Sequence, residues 1–336
     1  MRNRNGSILF SLIMLLIFST KLYSQIHNES AYNLTKKHPL EINHKDSELH
    51  KDTQNHTNST IIQGEYIIID LGLPDESYEW VNLKDINNNG VVVAHGIKYN
   101  ASMEIVYFPL LWDPVSGWSE LETPEGTIHA IANTINDNGQ IAGSIAINEH
   151  WFPCFWDEEG IHLLELLPGK YGGESFNNND LGQIVGGNWA PSIPWVHSEN
   201  TLTALEIPDD NLIGGTYAQS INNLNEILLQ GMGDHWTKRS GYLYTQNEIA
   251  KIQNPDGNIV SVAALNDNGQ VVGFANTYGW SWYPHYAFLW DRESGMINLG
   301  TLGGAYSQAE DINNNGTVAG YGSTSGYWPP KAFIWT

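Results

Sequence analysis

Residues 135–143 read INDNGQIAG, and the stretch returns almost unchanged at 265–273 as LNDNGQVVG. Looser copies lie at 86–94 (INNNGVVVA), 178–186 (NNDLGQIVG), 221–229 (INNLNEILL) and 312–320 (INNNGTVAG), making six. Nothing else in the chain constrains its fold as strongly. Self-similarity at a fixed period means one supersecondary unit, repeated, that buries its apolar face only against its neighbours. With Gly90, Gly139, Gly182, Gly269 and Gly316 as turn residues and Glu226 in the fourth slot, the copies lie 49, 43, 44, 43 and 47 residues apart. That period suits a four-stranded propeller blade and is too long for one coil of a β-helix.

Each copy places an Asn/Asp-Gly turn between two short apolar runs, the signal of a tight hairpin. An alternating strand follows, then a variable loop, then a third strand ending in an aromatic slot filled by Trp112, Trp156, His197, Tyr244, Trp290 and Trp335. A fourth strand runs through segments such as MINLGTLGG, 296–304, into the next repeat. No stretch carries a helical period, so the chain is expected to be all-β. The recurring tryptophans at fixed phase are expected to pack between blades, and the single cysteine, Cys154, to be a small buried hydrophobe.

The ends complete the count. After Trp335 only Thr336 remains, so the last unit lacks its fourth strand. A matching strand stands at the other end, IIIDLGL at 67–73, whose Leu71 and Gly72 correspond to Leu299 and Gly300. The 20 residues from Gly316 to Thr336 and the 26 from Gly64 to Gly90 together make about one repeat. The expectation is therefore a six-bladed β-propeller over 64–336 with four-stranded blades, the N-terminal strand completing the last blade and leaving no free sheet edge.

Ahead of the repeats, basic MRNRN and an apolar run at 8–18 have the order of a secretory signal peptide, 1–24, with cleavage expected near Ser24. The apolar run is short for a membrane span. Residues 25–63 are polar, with five histidines and few apolar side chains, and read as a flexible leader. The mature protein is expected outside the cell, with no membrane insertion after cleavage. Seven of the 15 Lys and Arg fall in the first 60 residues, whereas the chain carries 37 Asp and Glu and a net charge of −22. The repeat region is strongly acidic, which argues against nucleic acid and anionic membranes as partners.

One segment, YAFLWDRESGMINLGTLGGAYSQAEDINNNGTVAGYGS at 286–323, resembles the extracellular HAF repeats, whose units are similar to HAFLW..G.M.DLGTLGG..S.A..IN..G.VVG. Weaker matches cover 64–336. The histidine of that pattern is displaced by one residue here (His285, with Tyr286 between) and is Lys331 in the last unit. The resemblance implies secretion and a repeat fold; it implies no chemistry.

Function is sought in the loops between second and third strands, which escape the repeat. They carry Trp151, Trp189, Trp236, Trp280, Trp282 and Trp328, with Lys238 and Arg239 in an otherwise acidic body. Aromatic plates on solvent-facing loops invite a covering partner, and cations beside them suit a carboxylated or sulfated sugar. These eight residues are the ligand-binding candidates, with a polysaccharide or a surface protein as partner. Packing of the rings against one another is the competing reading. An enzyme, of which a polysaccharide lyase is the best fit, would draw its base, acid and carboxylate clamp from His150, His235, Tyr283, His285 and Arg239. The DINNNG turns at Asp85 and Asp311 imitate a Ca²⁺ loop but have Gly96 and Gly322 where a bidentate Glu is wanted, so they read as turns. No metal site and no cofactor are expected; Ca²⁺ at these turns and Zn²⁺ on the loop histidines, whose spacing is irregular, are the ions weighed. Nothing in the residues sets the oligomeric state.

Overall fold

Each copy of the repeated nonapeptide is a hairpin turn held by its own asparagine. In the first, Asn87 N–H donates to Val91 O (3.1 Å) and Gly90 N–H to Asn87 O (2.9 Å). Asn87 Oδ1 in turn accepts from the N–H groups of Asn89 and Val91. Asn136, Asn179, Asn222, Asn266 and Asn313 repeat the pattern. The chain reverses through a left-handed residue, glycine in five copies with φ between +72° and +83°. In the fourth copy this residue is Asn225 (φ +62°), one before the expected Glu226. Asparagine tolerates that conformation and glutamate does not.

The computed structural model describes residues 59–61, 67–189, 192–207, 215–233, 239–246, 248–255, 259–276, 284–326 and 330–336, all within the compact unit His56–Thr336. A small hairpin, β1 (Ser59–Ile61) and β2 (Ile67–Ile69), comes first. Blade 1 is β3 (Trp80–Ile86), β4 (Val92–Tyr99), β5 (Ile105–Asp113) and β6 (Gly117–Glu120). Blade 2 is β7 (Thr127–Ile135), β8 (Ile141–Ile147), β9 (His150–Asp157) and β10 (Gly160–Leu163). Blade 3 is β11 (Gly173–Asn178), β12 (Ile184–Asn188), β13 (Ile193–Ser198) and β14 (Thr201–Ala204). Blade 4 is β15 (Gly215–Ile221), β16 (Ile227–Met232), β17 (Arg239–Tyr244) and β18 (Ile249–Ile252). Blade 5 is β19 (Ile259–Leu265), β20 (Val271–Asn276), β21 (His285–Asp291) and β22 (Gly295–Gly300). Blade 6 is β23 (Ser307–Ile312), β24 (Val318–Ser323) and β25 (Pro330–Trp335). The blades are antiparallel throughout, and the fold is the expected all-β six-bladed propeller. No helix occurs among the described residues.

The six turns surround one cavity of about 490 Å³ lined from every blade, which marks one mouth of the central channel. They also stitch the blades together. Asn87 Nδ2 donates to Asn136 O (3.1 Å), Asn136 to Asn179 O (2.8 Å), Asn179 to Asn222 O (3.0 Å), Asn222 to Asn266 O (3.0 Å) and Asn266 to Asn313 O (3.0 Å). The next residue builds a second row: the N–H groups of Asn88, Asp137, Asp180, Asn223 and Asp267 each donate to the side chain of the following blade's equivalent. Asp85 Oδ2 accepts from Thr134 Oγ1 (2.7 Å) and Ile135 N (3.0 Å). Asp85 Oδ2 and Asn87 Oδ1 are thus engaged in blade and turn contacts.

Apolar packing follows the same order. The aromatic slot is in register in all six blades, each member paired with the first residue of the second strand, as in Val92 with Trp112 and Ile184 with His197. Trp112, Trp156 and Trp290 are buried, and Cys154 is fully buried. Five clusters join blade 1 to 2, 2 to 3, 3 to 4, 4 to 5 and 5 to 6. Every inner strand also skips one residue in its ladder at the same place: Lys84, Asn133, Phe176, Gln219, Ala263 and Glu310. A bulge there sharpens the twist that the ring needs.

Between blades 6 and 1 this order stops. No hydrogen bond joins residues 313–315 to 87–89. Leu83 is 53% exposed where Ala132, Ser175, Ala218, Val262 and Ala309 are buried, and Ile86 is 62% exposed where Ile135, Ile221, Leu265 and Ile312 are buried. Ile334 on the facing blade is 74% exposed. The strand expected to complete blade 6 is elsewhere: Ile67–Ile69 is laddered to β1, and blade 6 has three laddered strands. The physical reason is local. A strand can form a hairpin with its sequence neighbour at little loop-closure cost, whereas pairing with β25 must close the whole ring. The segment's far end is nevertheless tied to blade 1, where Trp118 Nε1 donates to Leu71 O (2.8 Å).

Candidate functional site

In an antiparallel blade the second-to-third connection lies at the opposite end from the first turn. His150, Trp151, Trp189, Arg239 and His285 therefore stand at the end remote from the Asn/Asp mouth. His235, Trp236, Lys238, Trp280, Trp282, Tyr283 and Trp328 lie outside the described residues. The other five have definite places.

His150 opens β9 and is exposed. Trp151 beside it is only 8% exposed, because its ring stacks on His129 at 6.0 Å and 5°. That imidazole meets Tyr107 (5.5 Å), which meets His95 edge-on (5.5 Å), so Trp151 ends an aromatic row between blades 1 and 2. It is packing, not a solvent-facing plate. Trp189 is half-buried against the backbone of Gly172, where a Cβ would lie 2.8 Å from the ring, and its N–H donates to Gly172 O (3.0 Å). Arg239 begins β17 and reaches across to blade 5, Nη1 donating to Ser261 Oγ at 3.1 Å. Burial lowers its pKa. His285 is half-buried between Phe274 (4.7 Å) and Tyr306 (5.2 Å). Trp151 and Arg239 are thus drawn into blade packing, because loop residues next to a strand end are captured by the adjoining blade.

A second constellation lies on the inner strands. Lys84 is the skipped residue of β3, and Glu174 sits on β11 one residue before Ser175, which borders the skip in its own blade. Burial pushes the Glu174 carboxyl up to about 7, with Lys84 opposing, and burial lowers the Lys84 ammonium, with Glu174 opposing. Lys84 is exposed at the surface, although neighbouring atoms crowd its ammonium. Glu174 is 4% exposed. Among the described residues neither side chain makes a hydrogen bond or an ion pair within 4.0 Å. His95 lies near Lys84, its Nδ1 buried without a partner, and burial followed by the Lys84 charge lowers its pKa to about 3. Tyr217 of blade 4 completes the group: burial raises its pKa, with Glu174 a minor cause. Neither residue stands out in the sequence, since inner strands also carry Asp85, Glu310 and Asp311, and the two lie 90 residues apart.

A further cavity of about 480 Å³ lies beside the turns of blades 4 to 6. Its cation, Arg292, is already engaged with Glu226 (3.8 Å) and Glu248.

Comparison with known proteins extends the fold and no more. No family model matches the chain, and no curated protein matches it. Among solved structures, it is similar to the β-propeller domain of the Trilobed protease from Pyrococcus furiosus, described as having an open velcro topology: TM-score 0.50, 11% identity, 76% of this chain and 83% of that one. Virginiamycin B lyase from Staphylococcus aureus aligns with a TM-score of 0.43 at 12% identity over 75% of this chain and 84% of its own. TolB from Acinetobacter baumannii aligns at 0.46 and 12% over 69% and 58%. The first of these likenesses supports the propeller architecture of the chain.

Proposed function

We propose that this is an exported binding module of the HAF-repeat type, secreted by its N-terminal signal and holding a glycan or surface protein on the face remote from the Asn/Asp mouth. One observation supports it above others: the connections between second and third strands fall at one end of the antiparallel blades, and in the sequence those connections carry six of the chain's 13 tryptophans. Because Trp151 is committed to packing and Trp189 partly so, contact with the partner falls chiefly to Trp236, Trp280, Trp282 and Trp328, flanked by Lys238. Flat rings match the apolar faces of sugars, and loop cations match their carboxylates. A lyase reading is weaker, since Arg239 is engaged with Ser261 and is not free to clamp a carboxylate.

Calorimetric titration of the mature protein with neutral and acidic polysaccharides tests this, alongside absorbance of unsaturated product. Binding without turnover is expected, weakened at least about tenfold by Trp280→Ala or Trp282→Ala. Trp151→Ala should lower stability and leave affinity alone. Product formation abolished by His235→Ala or His285→Ala would replace the module with an enzyme.

A further inference from the structure

Four of the six turns end in Asn-Gly: Asn89 with Gly90, Asn138 with Gly139, Asn268 with Gly269 and Asn315 with Gly316. In this dipeptide no side chain shields the glycine nitrogen, which can reach the amide carbon of the asparagine before it. The backbone holds the four pairs alike. Their glycines are left-handed, with φ of +77°, +83°, +72° and +81°, and each glycine N–H donates to the carbonyl three residues earlier at 2.9, 3.1, 3.1 and 3.0 Å. The side chains are not held alike. Asn89 Nδ2 donates to Asp137 O (3.2 Å), Asn138 Nδ2 to Asp180 O (2.7 Å) and Asn268 Nδ2 to Asn314 O (2.7 Å), each across to the next blade. Asn315 belongs to blade 6, where the blade-to-blade order stops, and among the described residues its exposed amide has no hydrogen bond.

We propose that Asn315 is a site of self-modification, deamidated in the folded protein while its three counterparts are protected. The Gly316 nitrogen attacks Asn315 Cγ. A new N–Cγ bond closes an imide ring, and the side-chain nitrogen leaves as ammonia, taking up the proton that Gly316 gives away. Water then opens the ring: entering at Cγ it leaves aspartate, and entering at the main-chain carbonyl carbon it leaves isoaspartate, with the backbone rerouted through the side chain. In blades 1, 2 and 5 Cγ cannot swing towards the glycine until Nδ2 releases its carbonyl, and breaking one such bond slows the step by about fivefold. At Asn315 no such bond has to break first. Either product places a carboxylate on a residue that lines both cavities, so an ageing molecule gains negative charge at the channel mouth. This reading is independent of the loop face.

The experiment is incubation of the full mature chain at mildly alkaline pH, with peptide mass mapping of the four sites over time and enzymatic methylation of isoaspartate as a second readout. In the folded chain conversion should be fastest at Asn315, next at Asn89, whose bond is the longest, and slowest at Asn138 and Asn268. The extremes should differ by about fivefold or more. In urea the rates should converge, because every one of these asparagines precedes a glycine. Asn315→Gln should remove the first acidic species to appear on isoelectric focusing and leave the other sites unchanged, with near-ultraviolet circular dichroism confirming that the variant is folded. The proposal is overturned if Asn138 or Asn268 converts as fast as Asn315 in the folded chain, if the same order persists in urea, or if Asn315 keeps its amide in the folded chain while the unfolded chain converts.

Discussion

Glu174 and His95 make the protein's response to pH a contest between two residues. A carboxyl raised from 4.5 to about 7 stabilises the fold while protonated, and that contribution, roughly 3 kcal/mol, is lost as pH rises from 4.5 through 7. An imidazole lowered from 6.5 to about 3 acts with the opposite sign: the fold requires it neutral, so stability is lost as pH falls from 6.5 towards 3. Between pH 4.5 and 6.5 the two slopes oppose each other. Urea midpoints should therefore vary little across that window in the parent chain. In Glu174→Gln the opposing slope is gone, so the midpoint should fall steeply on acidification over the same range and no longer fall between 6.5 and 7. A flat profile for the variant would mean that His95 is not held neutral by burial.

The repeated turn does at the level of the element what a disulfide or a metal does in smaller folds. Its asparagine divides its two ends between tasks, Oδ1 closing its own hairpin and Nδ2 capping a carbonyl of the next blade. Asn→Asp keeps the first task and removes the second. Asn136→Asp should cost about 2 kcal/mol, the range for stranding a buried carbonyl, because Asn179 O loses its 2.8 Å donor. Asn313→Asp should cost about 0.5 kcal/mol or less, since Asn313 Nδ2 has no acceptor across the last interface while its Oδ1 bonds to Asn315 and Thr317 remain. Equal losses in urea unfolding would show that the turn, and not the stitch between blades, carries the energy. The row also explains the near-identity of distant copies: a side chain that must satisfy two partners in adjacent blades admits few substitutes.

For the whole molecule the consequence is a ring with five built interfaces and one that differs. Ile135 and Ile86 occupy equivalent positions, the first 6% exposed and the second 62%. Ile135→Ala should destabilise by about 2–4 kcal/mol and Ile86→Ala by less than about 0.5. If Ile86→Ala proves as costly as Ile135→Ala, blades 6 and 1 are packed together in solution and the apolar faces of Leu83, Ile86 and Ile334 cover one another. Thermal unfolding of the two variants side by side decides it.

Period, turn chemistry and the aromatic slot were readable in the sequence because they are local: an asparagine, a left-handed residue and an alternating strand act within a few residues, and six copies amplify the pattern. Blade number, strand register and the burial of Trp112, Trp156 and Cys154 followed from that alone. The pairing partner of Ile67–Ile69 did not, since a match of motif is silent on whether β1 or β25 wins the competition for one short strand. Nor did the commitment of Trp151 to His129 and of Arg239 to Ser261, which depends on the approach of neighbouring loops and blades. Lys84 and Glu174 are 90 positions apart on blades that share no ladder, and their mutual influence depends on how the blades are arranged. Short-range forces wrote the blades into the residues; the influence of one blade's charges on another's exists only once the blades stand in a circle.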